Sequence, residues 1–183
     1  LGVACVRFYQ DQLFFKRGGD AETMWHQDSL AAPLDTNELV TLWAPLHDVT
    51  DAHGALRFAR GSHRDMTYNF WNDGNQAAEA KHPFYVYNST FVERRFELAT
   101  LGRVGAGDVS AHLGWTVHGA RGNAVAGEDR EVFAVSFVPD GTRALPYGPL
   151  GLKHTIDDKL SWVGKINVGE ALGGDAFPMA FCR

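Results

Sequence analysis

The stretch FELATLGRVGAGDVSAHLGWTVHGARGNAVAGEDREVFAVSFV, residues 96–138, decides the fold. It reads as four short strands, Phe96–Thr100, Asp108–Leu113, Thr116–His118 and Arg130–Val138. Gly102, Gly105, Gly107, Gly114 and Gly119 punctuate them, as turns between strands require. The pattern continues upstream. Val3–Lys16 is extended, with Phe8, Gln10, Gln12, Phe14 and Lys16 sharing one parity and therefore one expected face. After a Gly18-Gly19-Asp20 turn come short strands at Thr23–Asp28 and Leu39–Val49, the second bent at Pro45. Gly54–Ala59 follows and ends in the turn Arg60-Gly-Ser-His63.

About eight short strands with few helical signals predict an all-β sandwich or barrel. Met66–Glu93 is polar and aromatic without clean period, and a loop of that length predicts a functional lid or an insertion. The tail from Asp140 is rich in Gly and Pro, with a short helix expected around Thr155–Val163. No Gly-rich phosphate loop opens a helix, which removes support for a nucleotide-binding α/β reading.

The 183 residues suit one domain with a sizeable core. The net charge of −5 and the absence of a basic stripe argue against nucleic acid and anionic membranes as partners. No apolar run approaches the roughly 18 residues of a membrane span. Cys5 and Cys182 stand at opposite ends of the sequence and are expected to be free thiols in a reducing, cytoplasmic compartment. The sequence opens on Leu1 and runs directly into a strand, so an N-terminal portion is expected to be missing. Oligomeric state leaves no signal.

His26-Gln-Asp28 carries the chemistry. Residues two apart on a strand project from one face, so an imidazole and a carboxylate can converge on one ion while Gln27 points away. His118, in Trp115-Thr-Val-His-Gly, is the best third ligand. Two histidines and one carboxylate on one face of an octahedral ion leave three positions open, the arrangement of iron(II) oxygenases. Each half of the pattern alone also fits a solvent-facing strand or a core histidine. Arg130, twelve residues beyond His118, adds a bidentate fork for the far carboxylate of a dicarboxylate co-substrate.

Trp25-His-Gln-Asp28, Leu42-Trp-Ala-Pro-Leu-His-Asp-Val-Thr50, Gly54-Ala-Leu-Arg-Phe-Ala-Arg-Gly-Ser-His63, Gly107-Asp108 and His118-Gly-Ala-Arg-Gly-Asn123, followed by Arg130, appear in that order. In this series the sequence resembles the phytanoyl-CoA dioxygenase family over roughly residues 10–138. The resemblance implies a double-stranded β-helix (jelly-roll, cupin-like) oxygenase domain over residues 1–183 that uses Fe(II), 2-oxoglutarate and O₂. It makes His26, Asp28 and His118 the metal ligands and Arg130 the clamp on the distal carboxylate. Lys16 and Gln12 become further co-substrate contacts, with Gln10 beside them, and Trp43 a wall of that pocket.

The sequence departs from the family in places. Ala120 stands where many relatives carry a Ser that helps bind the 2-oxoglutarate carboxylate, and Arg60 replaces a common Pro. The helical N-terminal region usual in relatives is not seen. His63 and His112 recur at family-like positions but are expected to be structural. Related halogenases place a small residue where Asp28 stands, so the carboxylate implies hydroxylation, desaturation or another C–H oxidation of a small organic substrate. The aromatics Tyr68, Phe70, Trp71, Phe84, Tyr85 and Tyr87 of the insert are candidates to lid it. Two other classes share the pattern: a catalytically silent jelly-roll binding protein, and a cupin dioxygenase that needs no 2-oxoglutarate and so no Arg130.

Overall fold

A computed structural model describes residues 1–65, 89–145 and 166–183. The aromatic insert and the expected Thr155–Val163 helix lie outside these residues, apart from the end of the insert. The described elements are β1 (Cys5–Lys16), β2 (Thr23–His26), α1 (Asp28–Ala31), β3 (Val40–Pro45), β4 (Val49–Thr50) and β5 (Leu56–Ala59). They continue with α2 (Ser89–Arg95), β6 (Leu98–Thr100), β7 (Arg103–Val104), β8 (Ser110–Leu113), β9 (His118–Ala120), β10 (Arg130–Pro139) and β11 (Met179–Cys182). The strands form a five-stranded sheet, β11-β1-β10-β3-β8, a four-stranded sheet, β2-β9-β5-β6, and a β4-β7 ribbon. This is the jelly roll that the strand pattern predicts.

β10 shows why the layers form where they do. Its burial alternates strictly, with Arg130, Val132, Ala134, Ser136 and Val138 turned inward. Val132 and Ala134 meet Trp43 of the same sheet, Leu56 and Ala120 of the smaller sheet, and Val49 and Val104 of the ribbon in one core cluster. Apolar residues at every second position of strands from all three sheets close this interior. A second cluster, around Tyr9, Leu39, Val138 and Phe177, seals one end.

The single-face expectation for β1 fails at one point. Gln10, Gln12, Phe14 and Lys16 pair with the inward residues Ser136, Ala134, Val132 and Arg130, but Phe8 pairs with the outward Phe137. A register shift between Phe8 and Gln10 inserts Tyr9 as an extra residue, and a bulge of one residue reverses the parity of everything beyond it. Tyr9 is then buried against Phe177, their rings 6.4 Å apart.

The cysteine expectation is also corrected. β11 pairs with β1 in a register that sets Cys5 opposite Cys182, their Cα atoms 4.2 Å apart, and the two form a disulfide. Sequence distance concealed this, because antiparallel pairing of the first and last strands brings residues 177 positions apart into contact. Pairing removes the argument that these thiols mark a reducing compartment. A cross-link spanning nearly the whole chain restricts the unfolded state by up to about 5 kcal/mol. Cys182→Ser is therefore expected to lower Tm by on the order of 10 °C in calorimetry, with reductant producing the same drop in the parent. An unchanged Tm in both would show that the pairing contributes nothing. Among the described residues, no helix is long and apolar enough to cross a membrane.

Candidate metal centre

His26 ends β2 and pairs directly with His118 on β9, which pairs in turn with Phe58 on β5. Gly119 permits this close approach: a Cβ there would stand 2.8 Å from the Thr23 carbonyl oxygen, so no larger residue fits without moving β2. The two imidazole rings lie 4.2 Å apart. Asp28 does not lie on the strand, as the two-residue spacing suggested. Gln27 is the last extended residue and caps α1, and Asp28 opens that helical turn. Gln27 is buried with its amide donating to the Trp115 carbonyl, which holds the corner. Convergence survives the change of element, because the extended Gln27 still leaves its two neighbours on a common side.

The facing atoms are those a metal needs. Asp28 Oδ1 stands 3.7 Å from His26 Nε2 and 3.6 Å from His118 Nε2. One donor atom from each of the three residues falls within 4.8 Å of the others. Ligands at right angles and about 2.1 Å from an ion are about 3 Å apart, so seating one would require the donors to close by about 0.6 Å or more. His26 Nδ1 donates to the Met24 carbonyl at 2.8 Å and His118 Nδ1 to the Thr116 carbonyl at 2.9 Å. Each histidine thus bonds the backbone two residues upstream, fixing the tautomer that leaves Nε2 as a lone pair toward Asp28.

Electrostatics agree with that assignment. Burial, reinforced by His26, pushes His118 well below the ordinary imidazole value and keeps it neutral. Burial alone would raise Asp28, but His118, His112 and His26 around it prevail and hold its carboxyl well below the usual carboxylate range. Neutral imidazoles and an ionised carboxylate are the ligating forms.

A cationic corner occupies one end of the five-stranded sheet. Lys16 and Arg130 are cross-strand partners, both buried. Arg130 Nη1 donates to the Gly54 carbonyl at 2.8 Å, its guanidinium carbon lies 5.8 Å from the Trp43 ring, and among the described residues its buried Nε has no partner. Lys16 Nζ donates to Thr23 Oγ1 and the Arg121 carbonyl, each at 3.0 Å. Burial pushes Arg130 down to about 10, and burial followed by the Arg130 charge pushes Lys16 down to about 8. Among the described residues neither forms an ion pair. Asn123 ties the loop before Arg130 to β1, its side-chain amide donating to the carbonyls of Lys16 and Glu128. Gln12 shares the inward row of Ala134 and Trp43 but is exposed.

His112, expected to be structural, brings Nε2 within 3.2 Å of Asp28 Oδ2, with its ring 4.2 Å from that of His118. Thr41, which no motif singles out, donates to the same oxygen at 2.7 Å. No local signal marks the pair: Thr41 and His112 are partners on β3 and β8, a register set only by folding.

The fold and this constellation define a jelly-roll protein with a two-histidine, one-carboxylate centre. Comparison with protein families matches residues 2–132 to phytanoyl-CoA dioxygenase (PhyH). The chain belongs to that family. The solved structures it resembles include the non-haem α-ketoglutarate-dependent carbocyclase SnoK from nogalamycin biosynthesis, with TM-score 0.74 and 21% identity over 97% of this chain. Another is the non-haem α-ketoglutarate-dependent epimerase SnoN from the same biosynthesis, with TM-score 0.70 and 23% identity over 96% of this chain. The chain spans 63% of the length of each. AviO1 from Streptomyces viridochromogenes Tue57 is more distant, at TM-score 0.52 and 22% identity over 79% of this chain and 53% of its own. At these identities the likeness is one of fold. No curated protein matches the chain.

Proposed function

We propose that the protein is an Fe(II)- and 2-oxoglutarate-dependent oxygenase that oxidises a C–H bond of a small organic substrate, with hydroxylation as the outcome. The observation that carries this reading is the convergence of His26 Nε2, His118 Nε2 and Asp28 Oδ1. Family membership supports it, as does the fold shared with SnoN, which was solved with Fe³⁺, α-ketoglutarate and nogalamycin RO. In this reading His26, Asp28 and His118 hold the iron. When bound, it supplies O₂ activation coupled to conversion of 2-oxoglutarate to succinate and CO₂.

The protein's own residues orient the co-substrate. Arg130 receives the distal carboxylate of 2-oxoglutarate, using the fork edge left after its bond to Gly54. Two buried cations side by side are costly, and a dianion between β1 and β10 relieves that cost. Lys16 supplies the second charge. Trp43 backs the Arg130 guanidinium, and Gln12 offers a polar contact farther along the same face. Ala120 lacks the hydroxyl many relatives have, which places more of the task on Arg130.

The test is an anaerobic titration of the iron-loaded protein with 2-oxoglutarate, read by the visible charge-transfer band of the chelate. A saturable band is expected, and its absence from iron-loaded protein would overturn the proposal. The titration also has a predicted pH dependence. Lys16 is cationic below about 8, so its attraction for the dianion is fully present at pH 7 and is lost as pH rises past that value. The dissociation constant is expected to increase several-fold between pH 7 and 9, and Lys16→Met should flatten the rise. An equal rise in Lys16→Met would remove Lys16 from the co-substrate site.

A further inference from the structure

Asp28 belongs to the α1 corner beside the small sheet, yet the hydrogen bonds that orient its carboxylate come from the large one. Ser136, Thr41 and His112 are consecutive cross-strand partners on β10, β3 and β8, forming a single row on the inward face. All three are buried. Thr41 Oγ1 gives its one proton to Asp28 Oδ2 at 2.7 Å, so at 2.9 Å it must accept from Ser136 Oγ, which becomes the donor. An ionised Asp28 can only accept, so the proton in the 3.2 Å contact belongs to His112 Nε2. The buried His112 Nδ1 has no partner among the described residues. In this tautomer it is a bare lone pair rather than a stranded N–H.

Among the described residues, two donors on Oδ2 and none on Oδ1 divide the carboxylate into two unlike oxygens. We propose that Thr41 and His112 are positioning residues that confine Asp28 to one-oxygen ligation through Oδ1, with Ser136 completing the chain behind Thr41. This rests on the metal reading above and adds what the row does for it. A carboxylate free to rotate can take two positions on an ion, whereas one pinned at Oδ2 takes one. With His26 and His118 it then fills three of six positions, leaving room for a chelating keto acid and O₂. Partners outside the ligand set that orient a ligand are typically worth about 10- to 100-fold in metal affinity.

The experiment measures Co(II) binding to the apo protein without co-substrate, by competition titration and by the visible d–d spectrum. Thr41→Val keeps the shape of the side chain and removes the donor. It is expected to weaken Co(II) binding 10- to 100-fold and to alter the spectrum, while Thr41→Ser restores both to within about threefold of the parent. His112→Leu should act like Thr41→Val, and His112→Gln, which keeps an N–H donor, should recover part of the loss. Circular dichroism confirms the fold of each variant, and should His112→Leu not fold, the Thr41 pair decides. Thr41→Val within twofold of the parent and spectrally unchanged would overturn the inference while leaving the metal centre standing. A His112→Leu variant as defective as His26→Ala would also overturn it, by making His112 a ligand. Absence of Co(II) binding by the parent would overturn the metal reading, and this one with it.

Discussion

His26→Ala is expected to abolish succinate formation from 2-oxoglutarate under O₂ and to weaken iron binding more than about 100-fold. Removing a residue that only orients a ligand costs about 10- to 100-fold, so removing a ligand should exceed that range. In free-energy terms the loss is about 2.7 kcal/mol or more. His26 is the ligand best suited to this test. Its side chain keeps 22% of its surface exposed, against 5% for His118, so alanine leaves little cavity behind it. The Nδ1 bond to the Met24 carbonyl is lost at the edge of the sheet, where water can replace it. The measurement pairs metal content after anaerobic loading with succinate yield in the parent and the variant. Succinate from the parent alone would establish the oxygenase chemistry. Iron bound equally by both proteins would disprove the assignment of His26. A parent that binds iron but makes no succinate without its substrate can still be read by the charge-transfer band.

Arg130→Ala is expected to raise the Michaelis constant for 2-oxoglutarate by roughly 30- to 5,000-fold while leaving iron content unchanged. The estimate follows from breaking a buried, hydrogen-bonded charge pair, at about 2–5 kcal/mol. The cost is asymmetric because the partner carboxylate is left in a buried corner with Lys16 but without the guanidinium fork. Arg130→Lys keeps the charge without the planar fork and should fall between parent and alanine variant. Retained iron matters to the interpretation. Arg130 packs over Trp43 and bonds Gly54, so a variant that also lost metal would indicate collapse of the core cluster rather than loss of a clamp. Unchanged 2-oxoglutarate dependence would remove Arg130 from the site and favour a cupin chemistry that needs no keto acid.

The parts of this centre that the sequence made legible are those governed by short range. His26 and Asp28 meet because only Gln27 separates them, and neither strand nor helix geometry can carry them far apart. The inward row of β10 is likewise visible, since a ten-residue alternation admits one register of faces. Lys16 and Arg130 become partners through the pairing of two long strands, β1 and β10. The strand boundaries moved by a few residues, and Leu39–Val49 proved to be two strands divided after Pro45. None of this altered which residues face the interior.

What stayed hidden depends on distance in sequence or on a single irregular residue. Tyr9 reverses the parity of β1, and a bulge leaves no local signature when the residues around it are all good strand formers. Cys5 and Cys182 meet only because β11 returns to the edge of β1, a fact of topology rather than composition. His112 and Thr41 lie 84 and 13 residues from Asp28, and their role exists only once two sheets face each other. Local sequence is enough to specify the alternation that builds a jelly roll, the His-x-Asp corner and the cation at the head of β10, because each is written within a few residues of chain. Tertiary structure alone decided the disulfide, the facing of His26 and His118 across Gly119, and the hydrogen bonds on Asp28. Those depend on the register of strands remote in sequence, which the packing of the whole interior sets.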